Sequence, residues 1–185
     1  MKKLITRNLS GRKILVFVLP ALVIYFLMIG VTIPLIAHYA QGMAIFDMMT
    51  SGYSYDYALK LLDTLGEAGR NTYLFPQLTL DLAFPLTYVP AFVLLIASLL
   101  KPSDCLYNKP VFYTCFVPVF VGLADYGENI SVGAMLYSYP DISYALYQFS
   151  STCTVLKGIG LALTFALLLI YFLIFIFYKI KKIKQ

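Results

Sequence analysis

Four apolar runs, each more than 20 residues long, constrain this chain above all else: 14–37, 78–100, 111–132 and 158–178. At 1.5 Å of rise per residue, each covers the roughly 30 Å hydrocarbon core of a bilayer as an α-helix. Backbone amides in lipid must find partners within their own segment, which leaves helices as the spanning form for runs of this kind. The expected fold is all-α integral membrane: one membrane domain, 1–185, with four transmembrane helices in a bundle. The chain is 61% hydrophobic and 12% charged, about half the charge of an average soluble domain, so a soluble fold is excluded.

The first run follows Lys2, Lys3, Arg7, Arg12 and Lys13, as a signal peptide would. Its apolar part is 24 residues long and no A-x-A site follows it. It therefore reads as an uncleaved anchor. Eleven of the 14 Lys and Arg residues lie in the N-terminal stretch, in 101–109 and in "KIKKIKQ". Only Lys60, Arg70 and Lys157 fall on the other side. The split predicts cytoplasmic N and C termini and a bacterial inner membrane location, and it argues against a nucleic-acid partner. Tyrosines crowd the predicted outer side, where they serve the interfacial role usually shared with Trp, which this chain lacks. The three cysteines, Cys105, Cys115 and Cys153, form no C-x-x-C pair, which disfavours a thiol-relay enzyme.

The two outer connections differ. Residues 38–77 are long enough to hold structure of their own. Within them "DYALKLLDTLGEAGRNTY" places Tyr57, Ala58, Leu61, Leu62, Leu65 and Ala68 on one helical face, with Lys60, Asp63, Thr64, Glu67 and Arg70 opposite. This predicts an amphipathic helix that lies on the outer interface or caps the bundle. Gly66 and Gly69 weaken its pattern. The second connection, 133–156, is nearly uncharged and rich in Tyr and Ser.

Ionisable residues inside spans are costly, so they turn inward and find partners. Span two carries Asp81; span three carries Asp125 and Glu128 beside Asn129; Lys157 opens span four; Arg70 leads into span two. Asp125 lies roughly 21 Å along span three, and Glu128 one turn further. Antiparallel spans then bring Asp81, Asp125, Glu128 and Lys157 into one slab below the outer surface. Asp125, Glu128 and Asn129 share a helical face at i,i+3 and i,i+4 spacing. Pro85 follows Asp81 by four residues and removes the donor that the Asp81 carbonyl would normally have. Asp81, Asp125, Glu128, Asn129, Lys157 and Arg70 are thus the expected polar cluster. Three acids against two bases leave room for a shared proton or an outside cation. His38, the single histidine, with Asp81, Asp125 and Glu128, is a weak metal set, since zinc sites take several His or Cys ligands. No cofactor is implied, and no catalytic residue stands out: G-x-S-x-G, P-loop and H-E-x-x-H patterns are absent.

"LGEAGRNTY", "LDLAFPLTY" and "LADYGEN" together resemble an uncharacterised group of small bacterial four-span membrane proteins. Gly69, Arg70, Tyr73, Asp81, Phe84, Pro85, Tyr88, Asp125, Glu128 and Asn129 carry that pattern. The resemblance implies the fold and topology, and no activity. The residues themselves support three functional readings. The first is a non-enzymatic bundle whose polar cluster serves structure or binding, with membrane lipids, a membrane protein or a second copy as partner. The second is a small proton- or cation-coupled transporter. The third is an intramembrane metal-dependent lipid enzyme, with Asp81 as base.

Overall fold

The computed structural model describes residues 9–103 and 108–183. Lys2, Lys3, Arg7, Cys105 and Lys184, used above, lie outside them. Among the described residues the structure is helical, with no strand. Helix α1 runs Gly11–Tyr39, α2 Tyr55–Thr72, α3 Leu78–Leu100, α4 Lys109–Thr114, α5 Val117–Ser138 and α6 Tyr144–Ile183. Four helical segments are long and apolar enough to cross a membrane: Gly11–Tyr39, Tyr55–Leu100, Lys109–Ser138 and Tyr144–Lys182.

Proline shapes two of them. The i→i−4 ladder cannot pass through a residue without an N–H, and a π-turn is one way to absorb it. In α1 a π-turn at Met28–Thr32 precedes Pro34, and between α2 and α3 a second, Tyr73–Gln77, contains Pro76. The last residue of each turn, Thr32 and Gln77, is polar and buried. The two π-turns meet through these side chains, which are in hydrogen-bond contact.

Helix α2 buries Ala58, Leu61, Leu62 and Leu65 and exposes Lys60, Asp63 and Glu67. It is N-capped by the Ser54 hydroxyl, which accepts from Tyr57 N at 3.1 Å. Gly66 takes a left-handed φ of 60° inside this helix, a conformation glycine reaches without Cβ strain. The break turns the following residues, so Gly69 is buried and Ala68, expected on the apolar face, is exposed. Gly69 sits where an added Cβ would lie 2.7 Å from Tyr39 Cβ, so its lack of a side chain lets α2 close onto the end of α1.

The connection expected over 133–156 is mostly helix. α5 continues to Ser138, and α6 begins at Tyr144, well before the apolar run at 158. Thr152 donates its hydroxyl to the Gln148 carbonyl four residues back at 2.8 Å. Its polarity is met inside the helix, so a Ser/Thr-rich stretch need not leave it.

The core divides by position. One cluster, including Ile36, Phe46, Leu61, Leu62, Leu65, Tyr73 and Met135, sits at the end where α2 caps the bundle, here the loop end. Another, with Leu94, Ile96, Leu100, Phe112 and Tyr171, closes the opposite, terminal end. Small residues set the distance between helices. An added Cβ on Gly122 of α5 would stand 2.5 Å from Val89 Cγ2 of α3, and one on Gly160 of α6 2.6 Å from Val121 Cγ2 of α5. Gly30 faces open space. Gly122→Val and Gly160→Val are expected to lose about 1–3 kcal/mol to overpacking, while Gly30→Ala changes stability little. Unfolding of the three variants in detergent checks this; equal effects at all three sites would contradict the packing.

Candidate functional site

Between the two end cores lies a buried polar cluster on α3, α5 and α6. Asp81 is 3% exposed, Asp125 4%, Glu128 0% and Asn129 2%. Helical spacing puts Asp125, Glu128 and Asn129 on one face of α5, and the helix pairing turns that face toward α3 and α6. Lys157 reaches in from α6. Its Nζ donates to Asp125 Oδ1 at 3.1 Å and forms an ion pair with Glu128 Oε2. One ammonium thus bridges two carboxylates one turn apart.

Neutral groups complete the shell. Tyr88 of α3 donates its hydroxyl to Asp125 Oδ2 at 2.9 Å. Thr154, one turn before Lys157, donates to Glu128 Oε1 at 2.6 Å. The Gln77 amide donates to Asp81 Oδ2 at 2.7 Å, and Gln77 in turn meets Thr32 of α1. Side chains of α1, α3, α5 and α6 and of the second π-turn are therefore joined in one network.

The carbonyl freed by Pro85 has found a partner. Asn129 Nδ2 donates to the Asp81 backbone oxygen at 3.2 Å and also lies 3.3 Å from Asp125 Oδ1. The i−4 carbonyl of a proline in α3 is thus capped by an amide from α5. One buried acceptor, Asn129 Oδ1, lacks a donor.

Of the residues expected in the cluster, Asp81, Asp125, Glu128, Asn129 and Lys157 come together. Arg70 does not. It sits just past the Gly66 break, where its Nη1 donates to Leu62 O at 2.8 Å and its guanidinium lies 4.4 Å from the centre of the Tyr139 ring. Tyr139 donates to Asp63 Oδ1 at 2.7 Å, and this hydrogen bond to a carboxylate raises the phenol above its usual pKa. Arg70 therefore fastens α2 to the turn after α5. His38 is exposed, with its ring against Tyr39, and is not among the acids. Among the described residues no three His, Cys, Asp or Glu side chains converge as metal ligands.

Sequence reading missed Gln77, Tyr88, Thr154 and Thr32 as members of this network. Gln77 stands four residues before Asp81 and Thr154 three before Lys157, so helical spacing from a known member would have found both. Asp47, which accepts from buried Tyr73 near the same end, carried no such signal. Nearer the surface, Tyr53 donates to Ser150 Oγ at 2.7 Å, and Ser151 Oγ accepts from Tyr53 N at 3.0 Å and donates to Tyr53 O at 3.1 Å. Burial raises the Tyr53 phenol above its usual pKa, partly offset by the bond to Ser150.

Comparison with protein-family models, curated proteins and solved structures returns no match for this chain. The site is therefore read from its own geometry. Asn129→Leu should cost about 1–3 kcal/mol by stranding the Asp81 carbonyl. In a Pro85→Ala background residue 85 regains an N–H for that carbonyl, so the same substitution should cost less. A double-mutant cycle in detergent unfolding checks this, and additive effects would contradict the carbonyl-capping role.

Proposed function

We propose that this chain is a non-enzymatic, multi-pass four-helix protein of a cell membrane, most simply the bacterial inner membrane, with both termini in the cytoplasm. Its polar cluster locks the four helices in register. The end capped by α2 then faces outward and presents a surface to lipid or to a protein partner. The observation that carries the reading is the Lys157 bridge: one cation from α6 pairs with two carboxylates on α5, and α3 joins them through Tyr88 on Asp125 and the Asp81 carbonyl on Asn129.

The energetics favour a lock over a chance cluster. Helices in lipid gain little from apolar contact with one another, so interhelical polar bonds and close packing set their arrangement. A lone charge in such surroundings is expensive, and removing one partner of a buried pair costs about 3–5 kcal/mol because the other is stranded. Sliding α6 by one turn would part Lys157 from both acids at once.

The tyrosines suit the outward end. Tyr55, Tyr144 and Tyr147 form a ring cluster with centroids 5.3–5.4 Å apart, and Tyr137 is 86% exposed. Such rings anchor at the headgroup level, apolar body inward and hydroxyl toward water. The metal-dependent lipid enzyme loses support, because the oxygens of Asp125 and Glu128 already engage Lys157, Tyr88 and Thr154, and His38 is elsewhere.

Asp125→Asn, Glu128→Gln and Lys157→Met should each lower the detergent unfolding temperature. Lys157→Met should lower it most, since it strands two acids. Unchanged melting in all three would overturn the locking role.

A further inference from the structure

Three carboxylates, Asp81, Asp125 and Glu128, lie buried inside the bundle beside a single ammonium, Lys157, which pairs with Asp125 and Glu128. Among the described residues Asp81 meets no Lys or Arg; its side chain is held by the neutral amide of Gln77. Uncompensated negative charge in a low-dielectric interior is costly and draws in a positive guest. One buried acceptor points the same way. Asn129 Oδ1, on a side chain 2% exposed, receives no hydrogen bond. It lacks a hydrogen that an added proton in the cluster can supply.

The surroundings provide an entry. A groove of about 570 Å³ opens at the loop end, with Tyr53, Ser54, Tyr147, Ser151 and Thr152 in its wall. Tyr53 sends its hydroxyl inward to Ser150 Oγ at 2.7 Å, and the Thr154 side chain is its next neighbour. Thr154 then gives its hydroxyl to Glu128 Oε1 at 2.6 Å. Hydroxyl groups thus lead from the groove wall to a fully buried carboxylate. The other direction is different. Below Tyr88 the bundle is filled mainly by Ala21 and Val121, then by Leu94, Ile96, Ala97 and Leu100; the hydroxyls on that side, Thr164 and the Thr114–Tyr171 pair, bond to the Gly160 carbonyl and to each other rather than to the cluster.

We infer that the cluster is a proton-loading site, filled from the loop end through the Tyr53 and Thr154 hydroxyls and sealed toward the terminal end. The inference rests on the locked cluster described above. A proton from water at the groove passes from hydroxyl to hydroxyl. Each oxygen accepts one proton as it releases its own, and the Glu128 carboxylate receives the last. Only O–H bonds form and break. The titratable groups facing the three carboxylates are Lys157 and Cys153 on α6, Tyr88 on α3, Tyr126 on α5, Tyr73 in the second π-turn, and Asp47 and Tyr53 on the connection between α1 and α2. Asp47 adds to the negative field, and Lys157 is the one cation among them.

The test is infrared spectroscopy of the full chain in lipid nanodiscs near neutral pH, with exchange from H₂O to D₂O. The expected result is a protonated-carboxyl stretch, altered by Glu128→Gln or Asp81→Asn, that shifts promptly in D₂O. Thr154→Val and Tyr53→Phe should keep the band and slow its exchange by about tenfold or more. Tyr53→Phe keeps the test open if Thr154→Val does not fold. Absence of a protonated-carboxyl band, or unchanged exchange in both variants, would overturn the proposal, as would proton flux across proteoliposomes for the seal. Infrared results leave the melting of Asp125 and Lys157 variants untouched, so failure of this site and failure of the lock are distinguishable.

Discussion

The contact between Lys157 and the two carboxylates of α5 is the constraint on which the rest of the bundle depends. It is the only ion pairing among the described residues that joins two long helices through their buried faces. Everything near it serves to make that burial tolerable. Tyr88 and Thr154 take up the remaining lone pairs of Asp125 and Glu128, and Asn129 links the pair to α3. A buried charge with every neighbour in place holds one arrangement of helices, and a shifted arrangement strands it.

Proline supplies the second half of the design. Pro34 and Pro76 follow or sit within π-turns, and these turns deliver Thr32 and Gln77 to each other in the interior. Pro85 frees a carbonyl that Asn129 covers. In each case a backbone irregularity is matched by a side chain from another helix. Non-helical backbone at membrane depth needs that kind of partner. The loop end follows the same logic, with α2 folded over the cluster by Gly66 and Gly69 and fastened by Arg70 at Tyr139.

Much of this was legible in the sequence. The length and polarity of the apolar runs pointed to four long helices, and depth along antiparallel spans brought Asp81, Asp125, Glu128 and Lys157 to one level. The Pro85 rule located the free carbonyl, and the structure supplies its partner, Asn129. Arg70 misled because charge and nearness in sequence say nothing of the Gly66 break that turns it away. The helical start of α6 at Tyr144 was hidden because hydroxyl-rich sequence resembles a loop until its i−4 bonds are seen. Asp47 and Tyr73 meet through tertiary folding of the first connection, which no local spacing encodes.

The central claim is that Lys157 and Glu128 act as one unit holding α5 to α6. A double-mutant cycle of Glu128→Gln and Lys157→Met, read by reversible unfolding in mixed micelles, tests it most directly. The account predicts a coupling of about 1–3 kcal/mol, with Glu128→Gln costing less once Lys157 is gone. Single-variant costs that add to within about 0.5 kcal/mol would contradict it.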